Sequence, residues 1–395
     1  MIGVGRQDRA RVSAPRGLIA GLGSVPASVR GADDPLGVPG ATILSGVGGI
    51  PRRFALAGPG AAGDRNGPRT ARVVAMSAPH APVTPDLLGR DLLSVADLSA
   101  AEVLHVFDRA TELKAEFRAE RRHTPPPLAG RTIAMLFQRP SLRTRVTFEA
   151  GMNQLGGQAI YLPEDAVMGA RETVRDVARN LDRFVDAIVA RTGPHAVVVE
   201  LAAQATIPVI NALTLREHPC QALADLFTIR EHFGRLDGVT IAFVGDGNNV
   251  YHSLALVGVA LGMEVRLAHP PGYAPNEQVV SRARELAGAS GGRLIFGHEP
   301  AEIVRGAHVV YTDAWTSMGQ EAEKEERRDS FAGYQVDDAL LDAAGPNAVA
   351  MHCLPAHRGE EITSEVMDGP RSLIWDQSEN RLHVQKALLV EVLGG

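Results

Sequence analysis

The sequence has 395 residues, of which 45% are hydrophobic and 22% charged, and its formal net charge is −6. This length exceeds that of a usual single domain and predicts two packed cores, and no apolar stretch approaches the ~20 residues that cross a bilayer, so no membrane role is expected. The two cysteines, Cys220 and Cys353, lack the spacing of a metal-binding or redox pair and fit a reducing compartment.

Residues 1–75 differ in composition from the rest of the chain. They contain ten Arg, four Asp and neither Lys nor Glu, a charge of +6 that leaves −12 on the remaining residues. An acidic body disfavours nucleic acid as a partner. The same segment holds 15 Gly and 7 Pro without a helical or strand period, and residues 1–84 are therefore predicted to be a disordered extension.

Two interpretations of this extension are open. Its Arg-rich, acid-poor composition is typical of an organelle-targeting segment. However, Gly and Pro throughout interrupt the amphipathic pattern that targeting requires. We therefore favour an extension without a function and a cytoplasmic protein.

Ordered structure is predicted from about Leu92 onward. Ser99 and Glu102 form a capping-box pattern ahead of a helix that runs to about Arg121. Short apolar runs then alternate with amphipathic stretches, which predicts a parallel sheet with helices on both faces. The predicted strands are residues 132–137, 159–162, 186–191 and 207–211, and the predicted helices are residues 143–155, 172–184, 195–205 and 219–233.

A second series of the same kind follows. Its predicted strands are residues 239–244, 264–268, 293–296, 309–312, 349–353 and 372–375, and a last helix is predicted over residues 379–393. We therefore expect an α/β protein with two doubly wound parallel-sheet domains joined by interdomain helices, hinged near residues 225–238. The first domain spans residues 85–225 and is completed by a helix over residues 379–395, and the second spans residues 226–378.

Ligands of open parallel sheets bind beyond the carboxyl ends of the strands, so the chemistry is expected in the loops that follow them. The first such loop is Phe137-Gln-Arg-Pro-Ser-Leu-Arg-Thr-Arg145, which opens a helix. Free backbone N–H groups and the dipole at a helix start favour an anion. Ser at a helix start is also an ordinary cap, but Arg143 and Arg145 in the first turn oppose the dipole unless an anion is bound. The pattern therefore favours a phosphate cradle.

Two further loops belong to the first half of the chain. Arg191 ends a strand, and a ligand contact and a surface ion pair are equally compatible with that place. His218 precedes Pro219, which at a helix start places the imidazole at the cap facing the same sheet edge. We favour a functional over a structural histidine here, with Gln221 on the same helix turn.

Three loops of the second half also follow predicted strands. Residues 245–249, Gly-Asp-Gly-Asn-Asn, nearly match a dinucleotide pattern, but such a lone match is weak and no NAD site is inferred. Their asparagines suit a polar zwitterion. Asp313 precedes a small-residue loop, and residues 352–355, His-Cys-Leu-Pro, place a thiol at the same edge. The charged residues 321–329 are interpreted as a solvated segment, with a mobile lid as the alternative.

Together these loops resemble the aspartate/ornithine carbamoyltransferase family over about residues 92–393. The anion loop and the His-Pro-x-Gln sequence are shared across that family. Asp313 with Ser-Met-Gly at residues 317–319, and His-Cys-Leu-Pro at residues 352–355, are typical of its ornithine branch. The resemblance implies transfer of the carbamoyl group of carbamoyl phosphate to the δ-amino group of ornithine, giving citrulline and phosphate in arginine metabolism, in either the biosynthetic or the catabolic direction.

The resemblance also implies the site residues. Residues 85–225 would bind carbamoyl phosphate and residues 226–378 ornithine, in two domains that close on substrate. Carbamoyl phosphate would be bound by Ser141, Leu142, Arg143, Thr144, Arg191, His218, Gln221, Cys353, Leu354 and Arg381. Ornithine would be bound by Asn249, Asp313, Ser317 and Met318. The catalytic set would be Arg143, Thr144, Arg191, His218 and Cys353. The family implies a homotrimer with sites at subunit boundaries and no metal or organic cofactor.

Two departures from the family pattern bear on the substrate. Leu142 stands where many relatives have Thr, although its backbone donor is kept, and this form of the loop also resembles carbamoyltransferases that act on acylated ornithine. Residues 166–168, Ala-Val-Met, stand where some relatives carry a Gln that reaches the neighbouring subunit's site. The alternatives are another amine (acylated ornithine, putrescine or aspartate) or a non-catalytic ligand-binding homologue. Free ornithine is favoured because it uses every polar group of the predicted site.

Overall fold

A computed structural model of the chain describes residues 86–163, 172–316 and 321–395. The predicted extension over residues 1–84, the departure at residues 166–168, and Ser317 and Met318 of the predicted ornithine site lie outside these residues. Among the described residues, no helix combines the length and the apolar character needed to cross a membrane.

The first half of the described chain is built on a four-stranded parallel sheet in the order β2-β1-β3-β4. The inner strands β1 and β3 are apolar runs and almost wholly buried, as expected for strands covered on both faces. A single-turn 3-10 helix, Val95–Asp97, comes first, and Ser99 and Glu102 form the predicted capping box of α1. The strands are β1 Thr132–Phe137, β2 Gln158–Pro163, β3 Ala187–Arg191 and β4 Val209–Leu213, and the helices are α1 Ala100–Glu120, α2 Leu142–Gln154, α3 Val174–Leu181 and α4 His195–Gln204.

Helix α5, Pro219–Phe233, leads from this sheet to a five-stranded parallel sheet in the order β7-β6-β5-β8-β9. The predicted domain boundary at residue 225 falls inside α5 and stays a prediction. The strands are β5 Thr240–Val244, β6 Glu264–Ala268, β7 Arg293–Gly297, β8 Val309–Thr312 and β9 Val349–His352. The helices are α6 Asn249–Ala260, α7 Glu277–Ser290, α8 Pro300–Ile303, α9 Lys324–Ser330 (after a 3-10 turn, Glu321–Glu323), α10 Asp338–Ala344 and α11 Ser364–Asp368.

The last helix, α12, spans Ile374–Leu393 and corrects the prediction for its start. A strand was predicted over residues 372–375, but only Ser372 forms a bridge, to Ala350 of β9. The Ser372 hydroxyl then accepts a hydrogen bond from the backbone N–H of Ile374 at 3.4 Å, and the helix begins there. It packs against α1, α2 and α5.

The strand register brings the predicted loops together at two sheet edges. Phe137, the last residue of β1, lies opposite Arg191, the last residue of β3. In the second sheet, Thr312 at the end of β8 lies opposite both Val244 of β5 and His352 of β9. The loops after β1 and β3 are therefore neighbours, and so are those after β5, β8 and β9.

Candidate active site

The anion loop after β1 adopts the predicted helix start. Ser141 is the N-cap of α2, and its hydroxyl accepts a hydrogen bond from the backbone N–H of Thr144 at 3.4 Å. The first turn carries no acidic residue. Leu142 is 74% exposed, so its side chain points to the surface and only its backbone N–H group is left for an anion at the helix start. The prediction that two guanidinium groups line the phosphate cradle is wrong for Arg145. Arg145 donates to Glu149 at 2.9 Å and lies 4.0 Å from the Tyr161 ring centroid, so it is already paired outside the loop.

Buried cations converge beside this loop. Arg191 is 5% exposed, and its Nε has no hydrogen-bond partner among the described residues. Burial, followed by the charges of Arg381, Arg143 and Arg139, lowers the pKa of Arg191 to about 9. Uncompensated buried positive charge is unfavourable unless an anion joins it, which marks this cluster as an anion site.

His218 is placed at the same cluster by the start of α5. Its backbone N–H donates to the Ser253 hydroxyl at 3.0 Å, which ties this turn to α6. Burial and then the positive charge of Arg381 and Arg191 lower its pKa well below the usual range, so the imidazole is neutral. Its Nδ1 is buried without a hydrogen-bond partner in the described part of the chain and is available to a ligand.

Arg381 of α12 joins the predicted residues to one another. Its Nη2 donates to the Thr144 hydroxyl at 2.8 Å, and its Nη1 donates to Oε1 of Gln221. The guanidinium is 2% exposed, so these bonds form in a dry environment. Arg381, which is far from the loops in sequence, therefore lies in the same cluster as Thr144 and Gln221.

A cavity of 410 Å³ opens next to this cluster and is lined by Gln138, Arg139, Pro140, Gly193 and Pro194. Gln138 accepts a hydrogen bond from the backbone N–H of Gly193 at 3.0 Å and so ties the loops after β1 and β3 together. Arg139 was not among the predicted site residues, although it is an arginine in the loop after β1, as Arg143 is.

In the second half, Asp313 at the end of β8 organises three neighbours. Its Oδ1 accepts hydrogen bonds from the Cys353 thiol at 2.9 Å and from the backbone N–H of Ala314 at 2.8 Å. Its Oδ2 accepts from Asn248 at 2.7 Å. Burial and then the Asp313 charge raise the pKa of Cys353 well above its usual range, so the thiol keeps its proton and acts as the donor.

The two asparagines after β5 have different roles. Asn248 caps α6 with its side-chain oxygen and offers its amide N–H to Asp313. Asn249, the predicted ligand, donates instead to the backbone oxygen of Thr214 at 2.7 Å, across to the loop after β4. Asn248 was not among the predicted site residues, although it belongs to the same Gly-Asp-Gly-Asn-Asn pattern as Asn249.

The loop after β9 is held by a buried histidine. Nδ1 of His352 accepts the backbone N–H of Leu354 at 2.8 Å, so Nε2 carries the proton and donates to Glu361 at 3.1 Å. The side chains of His352 and Glu361 are both fully buried. These bonds fix the backbone of Cys353 and Leu354 at the sheet edge, as the prediction requires.

Within the charged residues 321–329, residues 322–326, 328 and 329 are exposed, as the interpretation as a solvated segment requires, and Arg327 is an exception. It is 4% exposed, donates to Asp246 and to the backbone oxygen of Trp315, and lies 4.8 Å from the Tyr273 ring centroid. Helix α9 is therefore anchored to the loop after β5 by a buried ion pair.

Fold and site together define a two-sheet α/β protein with a buried cluster of cationic side chains at the edge of the first sheet and a carboxylate–thiol pair at the edge of the second. The chain belongs to the aspartate/ornithine carbamoyltransferase family. The model of that family's carbamoyl-P binding domain matches residues 90–231, and that of its Asp/Orn binding domain matches residues 237–392. The predicted family and the predicted fold class are thereby confirmed.

Several relatives are similar over almost their whole length. The ornithine carbamoyltransferase of Anoxybacillus flavithermus is 51% identical over 311 residues, covering 78% of this chain and 98% of the relative. The anabolic ornithine carbamoyltransferase of Pyrococcus furiosus is 50% identical over 310 residues, with the same coverage. A solved structure of the Pyrococcus furiosus ornithine carbamoyltransferase superimposes with a TM-score of 0.76 over 79% of this chain and 99% of that chain, at 50% identity. That from Gloeobacter violaceus gives a TM-score of 0.70 at 48% identity, over 78% and 99%.

Proposed function

We propose that this protein is an ornithine carbamoyltransferase, which converts carbamoyl phosphate and L-ornithine to L-citrulline and phosphate in arginine biosynthesis. One observation carries the proposal. Burial lowers the pKa of Arg143, and the negative charge of Asp313, which accepts the hydrogen bond of the Cys353 thiol, opposes that lowering. The anion loop of the first sheet therefore lies within electrostatic reach of the carboxylate–thiol pair of the second. That proximity is what transfer between a phosphate ester and an amino acid requires.

In this proposal, the start of α2 binds the phosphate group. The backbone N–H groups of Ser141, Leu142 and Thr144 and the guanidinium of Arg143 supply the donors. Because Leu142 acts through its backbone, the presence of Leu where many relatives have Thr should weaken phosphate binding only a little. The carbamoyl end is bound by Arg191, His218, Gln221, Arg381 and the loop that carries Cys353 and Leu354.

Ornithine is proposed to bind against the second sheet. Asp313 pairs with the α-amino group, and the amides of Asn248 and Asn249 bind polar groups of the amino acid. Ser317 and Met318 remain part of the proposed set. A carboxylate at Asp313 disfavours an acidic acceptor such as aspartate, and acylated ornithine lacks the cationic α-amino group that Asp313 would pair with.

The reaction begins with deprotonation of the δ-amino group. An amine of this kind has a pKa of ~10.4, so only about one molecule in a thousand is neutral at pH 7, a cost of about 4 kcal/mol. Desolvation beside the buried arginines lowers that cost. The Cys353 thiol keeps its proton and donates a hydrogen bond to Asp313, which leaves the sulfur lone pairs free to orient the amine.

Attack on the carbamoyl carbon then places negative charge on its oxygen. Thr144, Arg191 and the neutral His218 are proposed as donors to that oxygen, where one lost donor typically costs about 3 kcal/mol. The C–O bond to phosphate breaks as the tetrahedral intermediate collapses. Arg143 stabilises the departing phosphate, which takes the proton released by the amine.

The assembly and location of the protein are also proposals. A homotrimer with sites at subunit boundaries would bury Leu142, Val146 and Ile160, which are 74%, 49% and 47% exposed along α2 and the edge strand β2. A cytoplasmic location fits the two free cysteines. The partners proposed are these two small-molecule substrates, without metal, organic cofactor, nucleic acid or membrane.

Purified protein supplied with carbamoyl phosphate and one amine at a time tests the proposal. Ornithine should yield citrulline with a kcat/KM at least about a hundredfold above those for N-acetylornithine, putrescine and aspartate, since the last three each lose a charge pair or meet a repulsive one. Preference for N-acetylornithine would replace the proposed acceptor. Binding of carbamoyl phosphate without product from any amine would favour the non-catalytic homologue.

A further inference from the structure

Asp225, in the middle of α5, is a buried carboxylate that is not among the residues proposed to bind either substrate. It is 0% exposed and accepts three hydrogen bonds. Oδ1 accepts from the amides of Gln221 at 2.8 Å and Gln377 at 2.7 Å, and Oδ2 accepts from the Tyr311 hydroxyl at 3.0 Å. These donors come from α5, α12 and β8, so the carboxylate joins the two halves of the molecule.

Asp225 determines which way the Gln221 amide faces. An arginine has only donors, so Arg381 requires the oxygen of Gln221 to face it. Oδ1 of Asp225 can accept a hydrogen bond in either protonation state, and it requires the NH₂ group of Gln221 to face the opposite way. A single orientation satisfies both partners. In that orientation Arg381 also reaches the Thr144 hydroxyl of the anion loop, at 2.8 Å.

The same constraint applies to Gln377 on the other side. Its NH₂ group donates to Asp225 and lies 3.0 Å from the Tyr311 oxygen, so its oxygen faces away from the carboxylate. That oxygen accepts the backbone N–H of His352 at 2.9 Å. His352 begins the loop that carries Cys353. An unbroken series of hydrogen bonds therefore runs from Thr144 through Arg381, Gln221, Asp225 and Gln377 to that loop.

We propose that Asp225 is a positioning residue that couples the phosphate side of the site to the Cys353 loop, by orienting the Gln221 and Gln377 amides in opposite directions. The inference rests on the proposed function for the identity of the two ligands. Occupation of the anion loop orders Thr144 and Arg381, and the two oriented amides transmit that order to His352 and Cys353. Each ligand then raises the affinity for the other by the same factor.

Calorimetry measures this coupling directly. Norvaline, which has the carbon chain of ornithine without the δ-amino group, is titrated into the protein with and without carbamoyl phosphate, and the ratio of the two dissociation constants is the coupling factor. A factor of at least about five is expected for the unaltered protein. A factor of one overturns the inference before any variant is made.

Gln377→Met cuts the series of hydrogen bonds at a residue that is proposed to contact neither substrate. It should reduce the coupling factor to below about two, while affinity for carbamoyl phosphate alone stays within about twofold. Gln385→Met is the matched control, since Gln385 is a fully buried glutamine of the same helix whose amide has no hydrogen bond among the described residues. The control should keep the full coupling. Equal coupling in Gln377→Met and Gln385→Met overturns the inference.

Two further variants keep the test decisive if Gln377→Met does not fold. Tyr311→Phe removes one donor to Asp225 without changing shape and should lower the coupling factor by about half or more. Asp225→Asn keeps an oxygen for both amides and should preserve most of the coupling, whereas Asp225→Ala should abolish it. Loss of coupling in Asp225→Asn equal to that in Asp225→Ala, or unchanged coupling in Tyr311→Phe, contradicts the inference. Citrulline formation by the unaltered protein tests the proposed function separately. If citrulline forms but the coupling is absent, the inference about Asp225 fails and the proposed function stands.

Discussion

The thiol of Cys353 donates a hydrogen bond to Oδ1 of Asp313 across 2.9 Å, and thereby joins the loops after β9 and β8. The donor is a protonated thiol, because burial and the neighbouring carboxylate raise the pKa of Cys353 well above its usual range. Cys353 is therefore unsuited to act as a thiolate nucleophile or a general base at neutral pH. Its chemistry is that of a donor that fixes the carboxylate and an acceptor that orients an incoming amine.

Replacement of Cys353 by Ala removes this bond and should lower kcat/KM for ornithine by about 10- to 100-fold. A hydrogen bond to a charged group contributes about 1.5–3 kcal/mol when its partner is left buried and unpaired. Affinity for carbamoyl phosphate should be nearly unchanged, because the anion loop is intact. Steady-state kinetics checks this, with Cys353→Ser as the conservative variant. Because Ser keeps a donor to Asp313, the kcat/KM of this variant for ornithine should lie between those of the wild type and Cys353→Ala. A Ser variant as impaired as the Ala variant would contradict the assigned role.

Arg143→Gln should abolish measurable binding of carbamoyl phosphate in calorimetry, since Arg143 lies in the first turn of α2 and forms no ion pair with a carboxylate among the described residues. Arg145→Gln is the matched control two residues away. Arg145 is already paired with Glu149 and stacked on Tyr161, so its loss should change the affinity by no more than about twofold. Similar losses in both variants would mean that general electrostatics, rather than Arg143 itself, binds the ligand.

His218→Gln should reduce kcat by about a hundredfold through the loss of a donor to the carbamoyl oxygen, with a smaller change in carbamoyl phosphate affinity. The pKa of His218 lies well below its usual range, so the imidazole is neutral between pH 6 and 8 and does not titrate there. The profiles of log kcat against pH for the wild type and His218→Gln should therefore run parallel over that interval. A limb near pH 6.5 that disappears in the variant would show that His218 acts as an acid or base instead.

The sequence predicted the strands of both sheets because each is a short apolar run between turn residues. Residues 132–137, 264–268 and 309–312 have the predicted bounds. The start of α12 was predicted wrongly because Ser372, Leu373, Ile374 and Trp375 resemble a strand locally. What makes the following residues helical is tertiary: Gln377 and Arg381, one turn apart, are both buried among side chains of α5.

The site could be predicted only as far as its loops are local in sequence. Anion-binding loops and loops with a carboxylate can be recognised from the types of residue that directly follow a strand. The structure brings most of the residues of these loops together. Asp225 and Gln377 carry no such signal, because neither follows a strand and they interact with each other across 152 positions of the chain. The orientation of an amide likewise depends on both of its partners, and neither can be identified without the fold.

The ionisation of Asp225 gives a prediction for stability against pH. Burial, opposed by hydrogen bonds from Gln221 and Gln377, raises the pKa of this carboxyl from 3.8 to about 7. The folded state therefore binds the proton more tightly than the unfolded state. The resulting stabilisation is complete below about pH 4 and is lost as pH rises toward 7, by about 4 kcal/mol over the window. Asn at this position does not titrate, so the free energy of unfolding of the wild type relative to Asp225→Asn should fall by about 2 kcal/mol between pH 5 and 7.

Urea denaturation of both proteins at pH 5, 6, 7 and 8 measures that difference, which should become level above pH 7. Asp368→Asn serves as a control of opposite sign. The Asp368 carboxylate is exposed and its pKa is lowered by the hydrogen bond from Arg358, so its contribution is present above its ordinary pKa and cannot fall between pH 5 and 8. A difference that stays level between pH 5 and 8 would contradict this prediction, because it would mean that Asp225 is already ionised in the folded protein at pH 5.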